Sequence, residues 1–288
     1  MFYESYEKAW SNTSIRHIAT PSERARNTYY HVQEIGYFKT SSHYYTKRSG
    51  LNSYLLVHTL SGIGYLTYND KTYRLGPGDL MFIDCRKEHY YKTDESSLWE
   101  IQWVHFKGSN TLGYYNQFLE HQNPIVRKTK PEDYSSWLGE MLNLHSTGDL
   151  QREIQSSRLI TNCLTQLLVD AHAFNSPINL PDTIHSIQTY IDHHYIEPIT
   201  LTLLSDHFGM SKYHLARLFK RYTGFSPIDY QISLRITMAK NLLQFSDLTI
   251  QQISYDIGIE NISHFIKSFK KREGMTPLQF RKLWCIKG

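Results

Sequence analysis

Leu204-Ser205 … Gly209-Met210-Ser211 … Leu215 … Arg217 … Phe219-Lys220 … Gly224 … Pro227 … Tyr230 is followed by Ile253-Ser254 … Gly258-Ile259 … Phe265 … Lys267 … Phe269-Lys270 … Gly274 … Pro277 … Phe280. The offset is 49 residues before the turn and 50 after it, so the second turn is one residue longer. Each copy reads as a helix-turn-helix. A short helix, 201–208 or 250–257, ends where the chain must reverse. Gly209 and Gly258 stand there, at positions that favour positive φ. A second helix follows, capped by Ser211 in the first copy and by Glu260 or Asn261 in the second. On it Leu215 and Phe219 fall four apart, as do Phe265 and Phe269, so that face packs inward.

The opposite face of the first copy carries Lys212, Tyr213, His214, Arg217 and Arg221, next to Ser211. The second copy presents Asn261, Ile262, Ser263, His264 and Lys267. Long donors at the start of a second helix reach base edges in the major groove, and Arg and Lys favour guanine. One such face reads equally well as solvated surface. Two in register point to double-stranded DNA, with Arg217 and Lys267 as the main base readers. Charge agrees: residues 184–288 carry 13 Lys/Arg against 8 Asp/Glu, net +5, and the remainder 18 against 19, net −1. The excess positive charge lies where phosphates need it. Pro227 to residue 244 reads as a long helix between the copies. Arg235 and Lys240 on it are candidates for phosphate contacts or surface salt bridges.

The chain of 288 residues is 40% hydrophobic, long enough for two domains with real cores. It holds no apolar run of membrane-spanning length and opens without a signal-peptide pattern. Cys85, Cys163 and Cys285 are scattered, with no C-x-x-C pair. A cytoplasmic location with reduced, buried thiols is expected.

From Tyr29 to about Phe106 short runs rich in Tyr, Leu, Val and Ile alternate with turns such as Gly62-Ile63-Gly64, Asn69-Asp70 and Gly76-Pro77-Gly78-Asp79. Many short strands at close spacing argue a sandwich or small barrel. Residues 112–174 change to helical period, with Trp137, Met141 and Leu144, then Ile154, Leu159, Cys163 and Leu167, and a turn at Thr147-Gly148-Asp149. Two such helices cover the barrel or form a dimer surface, for which Trp137, Met141, Leu159 and Leu167 are the expected contacts. Asn175–Asp182, with two prolines and two asparagines, reads as the linker, and Asp182 as the cap of a helix beginning at Thr183. The expected organisation is therefore two-domain α+β. Residues 1–175 form a β-barrel with dimerisation helices, 176–183 a linker, and 184–288 an all-α double helix-turn-helix domain.

The stretch Gly258-Ile259 … Phe265 … Phe269-Lys270 … Gly274-Met275-Thr276-Pro277 … Phe280-Arg281 closely resembles the C-terminal signature of AraC/XylS-type transcription regulators. The resemblance covers about 105 residues. Departures are Ser205 and Ser254 where the family prefers Ala, Ile259 for a usual Phe, and His264 for a usual Tyr. A serine hydroxyl can be satisfied on the helix backbone. The resemblance implies a cytoplasmic homodimer that binds promoter operators and works with RNA polymerase.

Gly78-Asp79-Leu80 … Asp84 … Arg86 … His89 resembles the second box of cupin barrels. The first box is absent, since His58 stands alone. Metal sites need three or more converging ligands, so no metal and no cofactor is expected. An enzyme with a catalytic cupin barrel is the competing reading, and the missing box argues against it. In sugar-responsive members the counterparts of Arg48, His89 and Trp103 line the effector pocket, with Thr59 and Tyr91 as lesser candidates. The chemistry suits a sugar: Arg offers a fork of donors to hydroxyls, and Trp an apolar platform. The resemblance thus implies an activator of carbohydrate-utilisation genes, or a relative with another effector or none.

Overall fold

A computed structural model describes residues 2–7, 9–119, 123–127, 132–175 and 180–284. The chain divides into two compact units, 1–175 and 176–288.

In the first unit two antiparallel sheets face each other. One has five strands in the order β1 (Tyr3–Glu7), β4 (Tyr45–Ser49), β9 (His89–Thr93), β6 (Gly64–Tyr68), β7 (Lys71–Leu75). The other has six: β11 (Ile125–Arg127), β8 (Asp79–Asp84), β5 (Tyr54–Ser61), β10 (Glu100–Lys107), β3 (His31–Lys39), β2 (Ile15–Ile18). The layers are cupin-like, but among the described residues the expected barrel is not closed by hydrogen bonds, because each sheet keeps two edges. The Asn69-Asp70 turn has φ of 49° and 58°, the left-handed pair of a tight hairpin.

The six-stranded sheet separates two apolar cores. Leu55, Val57, Met81, Ile83, Ile101 and Trp103 point between the sheets. Their neighbours Tyr54, Leu56, Leu80, Phe82, Val104 and Phe106 point outward, under the helices. This is the alternation of strands buried on both faces. The covering helices are α2 (Thr111–Leu119), α3 (Glu132–Thr147) and α4 (Arg152–Asn175); a one-turn helix, α1 (Glu23–Thr28), precedes β3. The expected run of helix is thus interrupted by β11, which pairs with β8.

The candidate dimer contacts need correction. Met141, Leu159 and Leu167 are at most 1% exposed in the core beneath α3 and α4, and Trp137 packs partly buried against it. Their apolar spacing reflects covering the sheet. The outward face of α4 shows Ile154, Arg158, Thr165 and Val169 instead.

The second unit is helical: α5 (Leu180–His194), α6 (Leu201–Phe208), α7 (Lys212–Thr223), α8 (Pro227–Phe245), α9 (Ile250–Asp256), α10 (Ile262–Glu273) and α11 (Pro277–Trp284). Residues 176–179 of the expected linker lie outside the described residues. Residues 180–183 are helical, and Asp182 lies in the first turn of α5 rather than capping it. A proline in a first turn forgoes only an N–H that has no partner there, so Pro181 does not delay the helix. Two separate cores follow. Leu204, Leu215 and Phe219 join α5 in one; Ile253, Phe265, Phe269 and Phe280 join the later half of α8 in the other.

Candidate nucleic-acid interface and effector pocket

The two helix-turn-helix units repeat each other in detail. Thr200 and Thr249 cap their first helices, and Ser211 and Asn261 their second. The turn glycines Gly209 and Gly258 have φ of 64° and 75°. Ser205 Oγ donates to Met210 O at 2.6 Å, and Ser254 Oγ to Ile259 O at 2.5 Å. Each hydroxyl thus crosses the turn and staples its far side, instead of bonding back to its own helix.

Residues 211–220 and 261–270 have the same order of exposure: four exposed, one buried, one half-buried, one exposed, two buried, one exposed. Lys212, Tyr213, His214 and Arg217 stand outward together, as do Ile262, Ser263, His264 and Lys267. The Arg217 guanidinium lies over the Tyr213 ring at 5.9 Å, one helical turn away. Three corrections apply. Arg221, one turn after Arg217, is half-buried where Lys212, Tyr213, His214 and Arg217 are exposed. The side chains of Ser211 and Asn261 accept from the backbone N–H of His214 and His264, so each is first of all a cap. The open faces also include Lys220 and Lys270, which the repeat had marked only as part of its pattern. Neither lysine nor arginine of α8 is free for phosphate. Arg235 bonds backbone carbonyls, and Lys240 pairs with Glu273 at 3.0 Å.

In the first unit a small recess of about 30 Å³ opens between the sheets, well below the volume of a formed small-molecule site. Arg48, Tyr91 and Trp103 line it, together with Glu4, Trp10, Arg16, Glu34, Phe38 and His105. Arg48 is held from two sides. Its Nε donates to Glu4 at 2.6 Å, and its Nη1 lies 2.8 Å from His105 Nε2. Because guanidinium only donates, Nε2 of His105 must accept, which places the ring proton on Nδ1, 3.2 Å from Ser53 Oγ. Burial and the Arg48 charge push the His105 pKa well below the ordinary range, so the ring is neutral. At the mouth Arg16 pairs with Glu34 at 2.7 Å. The walls are aromatic: Trp10 stacks on Phe38 at 4.5 Å, and Trp103 meets Phe38 edge-on at 5.1 Å. Trp103 Nε1 is buried with no hydrogen-bond partner among the described residues.

Two expected pocket residues are elsewhere. His89 is fully buried and stacks on Tyr91 at 6.2 Å, outside the recess lining. Its Nδ1 donates to Lys87 O, and burial lowers its pKa. Thr59 accepts from Trp99 Nε1 at 3.0 Å and serves that core tryptophan. His105 was within reach of sequence reasoning, two residues beyond Trp103 on one strand and therefore on the same face. Glu4, Trp10 and Arg16 come from an N-terminal stretch with no clear period. Among the described residues no group of three or more His, Cys, Asp or Glu is placed to hold a metal ion, and no helix is long and apolar enough to cross a membrane.

Residues 31–173 match the family described as an AraC-like ligand binding domain, and residues 204–283 one described as a helix-turn-helix domain. The MmsAB operon regulatory protein of Pseudomonas aeruginosa is 23% identical over 86% of this chain and 81% of its own length. The arabinose operon regulatory protein of Salmonella typhimurium is 26% identical over 81% of this chain and 84% of its own. The crystal structure of the C-terminal domain of the response regulator yesN from Fusobacterium nucleatum is 33% identical, covers 35% of this chain and 98% of its own, and has a TM-score of 0.34.

Proposed function

Since the chain belongs to the AraC-type regulators, a ligand-binding domain followed by a DNA-binding one, it is a DNA-binding transcription regulator, and we propose that it activates carbohydrate-utilisation genes in response to a neutral sugar. The observation that carries this reading is the charge balance of the recess. Both of its cations, Arg48 and Arg16, already face a carboxylate, and His105 is neutral. A sugar acid or sugar phosphate entering there would meet no uncompensated positive charge and would repel Glu4 and Glu34. A polyol would find donors and acceptors beside aromatic faces, with Trp103 Nε1 still wanting an acceptor.

The regulator binds as a homodimer on this reading, through the exposed face of α4 around Ile154, Arg158 and Val169. Arg217 and Lys267 read bases, Lys212, Tyr213, His214, Ile262, Ser263 and His264 flank them, and RNA polymerase is the downstream partner. A thermal-shift series with the full chain tests the effector. Neutral mono- and disaccharides should raise the melting temperature, and the corresponding acids and phosphates should not. Trp103→Ala should abolish the shift. A rise with the anions alone would overturn the neutral-sugar reading and leave the family assignment intact.

A further inference from the structure

Gly209 and Gly258 occupy the same place in the two turns, yet their surroundings differ. A Cβ on Gly209 would meet nothing within 4 Å. A Cβ on Gly258 would stand 2.0 Å from the carbonyl oxygen of Ile196. Residue 196 precedes the other helix-turn-helix of the same domain: it lies in the turn Tyr195–Glu197 that leaves α5 and leads to Thr200, the cap of α6. The second unit's turn is therefore pressed against the backbone that enters the first.

The same three residues are held from α8. Arg235 donates Nε to Tyr195 O at 2.6 Å and Nη2 to Ile196 O and Glu197 O, both at 2.9 Å. Gln231, 4% exposed and one helical turn earlier, donates Nε2 to Tyr195 O at 2.9 Å and to Glu197 O at 2.6 Å. Five hydrogen bonds from two side chains of the connecting helix thus converge on three successive carbonyls. One guanidinium captures what three ordinary donors would be needed for, and its planar fork fixes direction as well as distance. The apolar cores of the two units are separate. Among the described residues only α8 is common to both, with Tyr230 packed against one core and Ile236, Ala239 and Leu243 in the other. A weaker tie, Arg272 to Asp229 at 3.7 Å, lies elsewhere on α8.

We infer that Arg235, Gln231 and Gly258 form a clasp on residues 195–197 that fixes the angle and separation of the two recognition helices, making Arg235 a positioning residue for DNA binding. The inference rests on both units engaging one duplex. The clasp lets binding by one unit present the other at the right groove without further ordering, which raises the effective concentration of the second contact.

The test uses the full chain and a duplex selected by the wild-type protein from a random pool. Three derivatives are compared: one half-site scrambled, the other scrambled, and one base pair inserted between them. The insertion turns the far half-site by about 35° and shifts it by about 3.4 Å. Wild-type affinity should fall by about 100-fold on scrambling either half, and by about tenfold or more on insertion. Arg235→Lys, whose ammonium cannot span three carbonyls, should bind the intact duplex about tenfold more weakly but lose less than about threefold on insertion. Gly258→Ala should show the same insertion tolerance by pushing the turn off, and Gly209→Ala, with the same backbone strain and open space, should keep the wild-type penalty. Gly258→Ala also carries the test should Arg235→Lys fail to fold. Equal insertion penalties in the wild type and the clasp variants overturn the clasp. Wild-type indifference to scrambling either half overturns two-unit engagement, and the clasp with it.

Discussion

His105 governs the electrostatics of the recess. It accepts from Arg48, so its protonation would set two cations against each other with little water between them. Burial lowers the pKa of His89 as well, and that of His145 on α3 to about 4. The sign follows from linkage. Each ring takes a proton more readily in the unfolded chain, near 6.5, than in the folded one, so stability is full above that value and declines as pH falls. The first unit should lose thermal stability between about pH 6.5 and 4, a decline that His145→Gln should make shallower. Melting scans across that range check it; an unchanged slope in the variant would remove His145 from the account. Part of this site was readable beforehand. Arg48, Tyr91 and Trp103 are marked by the resemblance to sugar-responsive regulators rather than by strand alternation. His89 and Thr59 also point inward from their strands, but a strand face says only which side a residue takes, not whether a cavity or a tryptophan lies above it. Glu4 and Arg16 reach the recess from edge strands too polar and irregular to show a period.

At the level of elements, the turns of the repeat hold the clearest lesson. The positive-φ glycines and the Ser211 and Asn261 caps follow from local chemistry and are as expected. The serine staples do not, because the sequence cannot say which carbonyl a hydroxyl will find. Ser254 is 1% exposed, so Ser254→Ala should destabilise the second unit by about 1–2 kcal/mol by orphaning Ile259 O. Gly209→Ala should cost about 1–2 kcal/mol from left-handed backbone alone, and Gly258→Ala clearly more, since backbone at 2.0 Å must also move. Denaturant titration of the single variants gives the ranking; a Gly258 variant no worse than its counterpart would contradict the observed approach. The helices of the first unit show the limit of periodicity from the other direction. Met141, Leu159 and Leu167 mark an apolar face correctly, but what covers that face, a sheet or a second copy, is a tertiary fact.

On the scale of the whole molecule, two units with self-contained cores should unfold independently. A fragment starting at residue 176 should be helical, melt cooperatively and retain specific DNA binding. Circular dichroism and gel-shift measurements decide this, and a molten fragment would mean that the first unit completes the fold of the second. The duplicated exposure pattern of α7 and α10 has one more consequence. Inward positions hold Leu215 and Phe219 against Phe265 and Phe269, apolar in both, while outward ones keep His214 and His264, and Lys220 and Lys270, in common but set Lys212 against Ile262, Tyr213 against Ser263 and Arg217 against Lys267. Two readers of one build with unlike faces cannot trade places. On the proposed reading a protomer therefore has a head and a tail along the duplex, and a site turned end for end offers each reader the bases meant for the other. The asymmetry of a promoter, which way its gene lies, is then already written in a single chain, before any second copy binds.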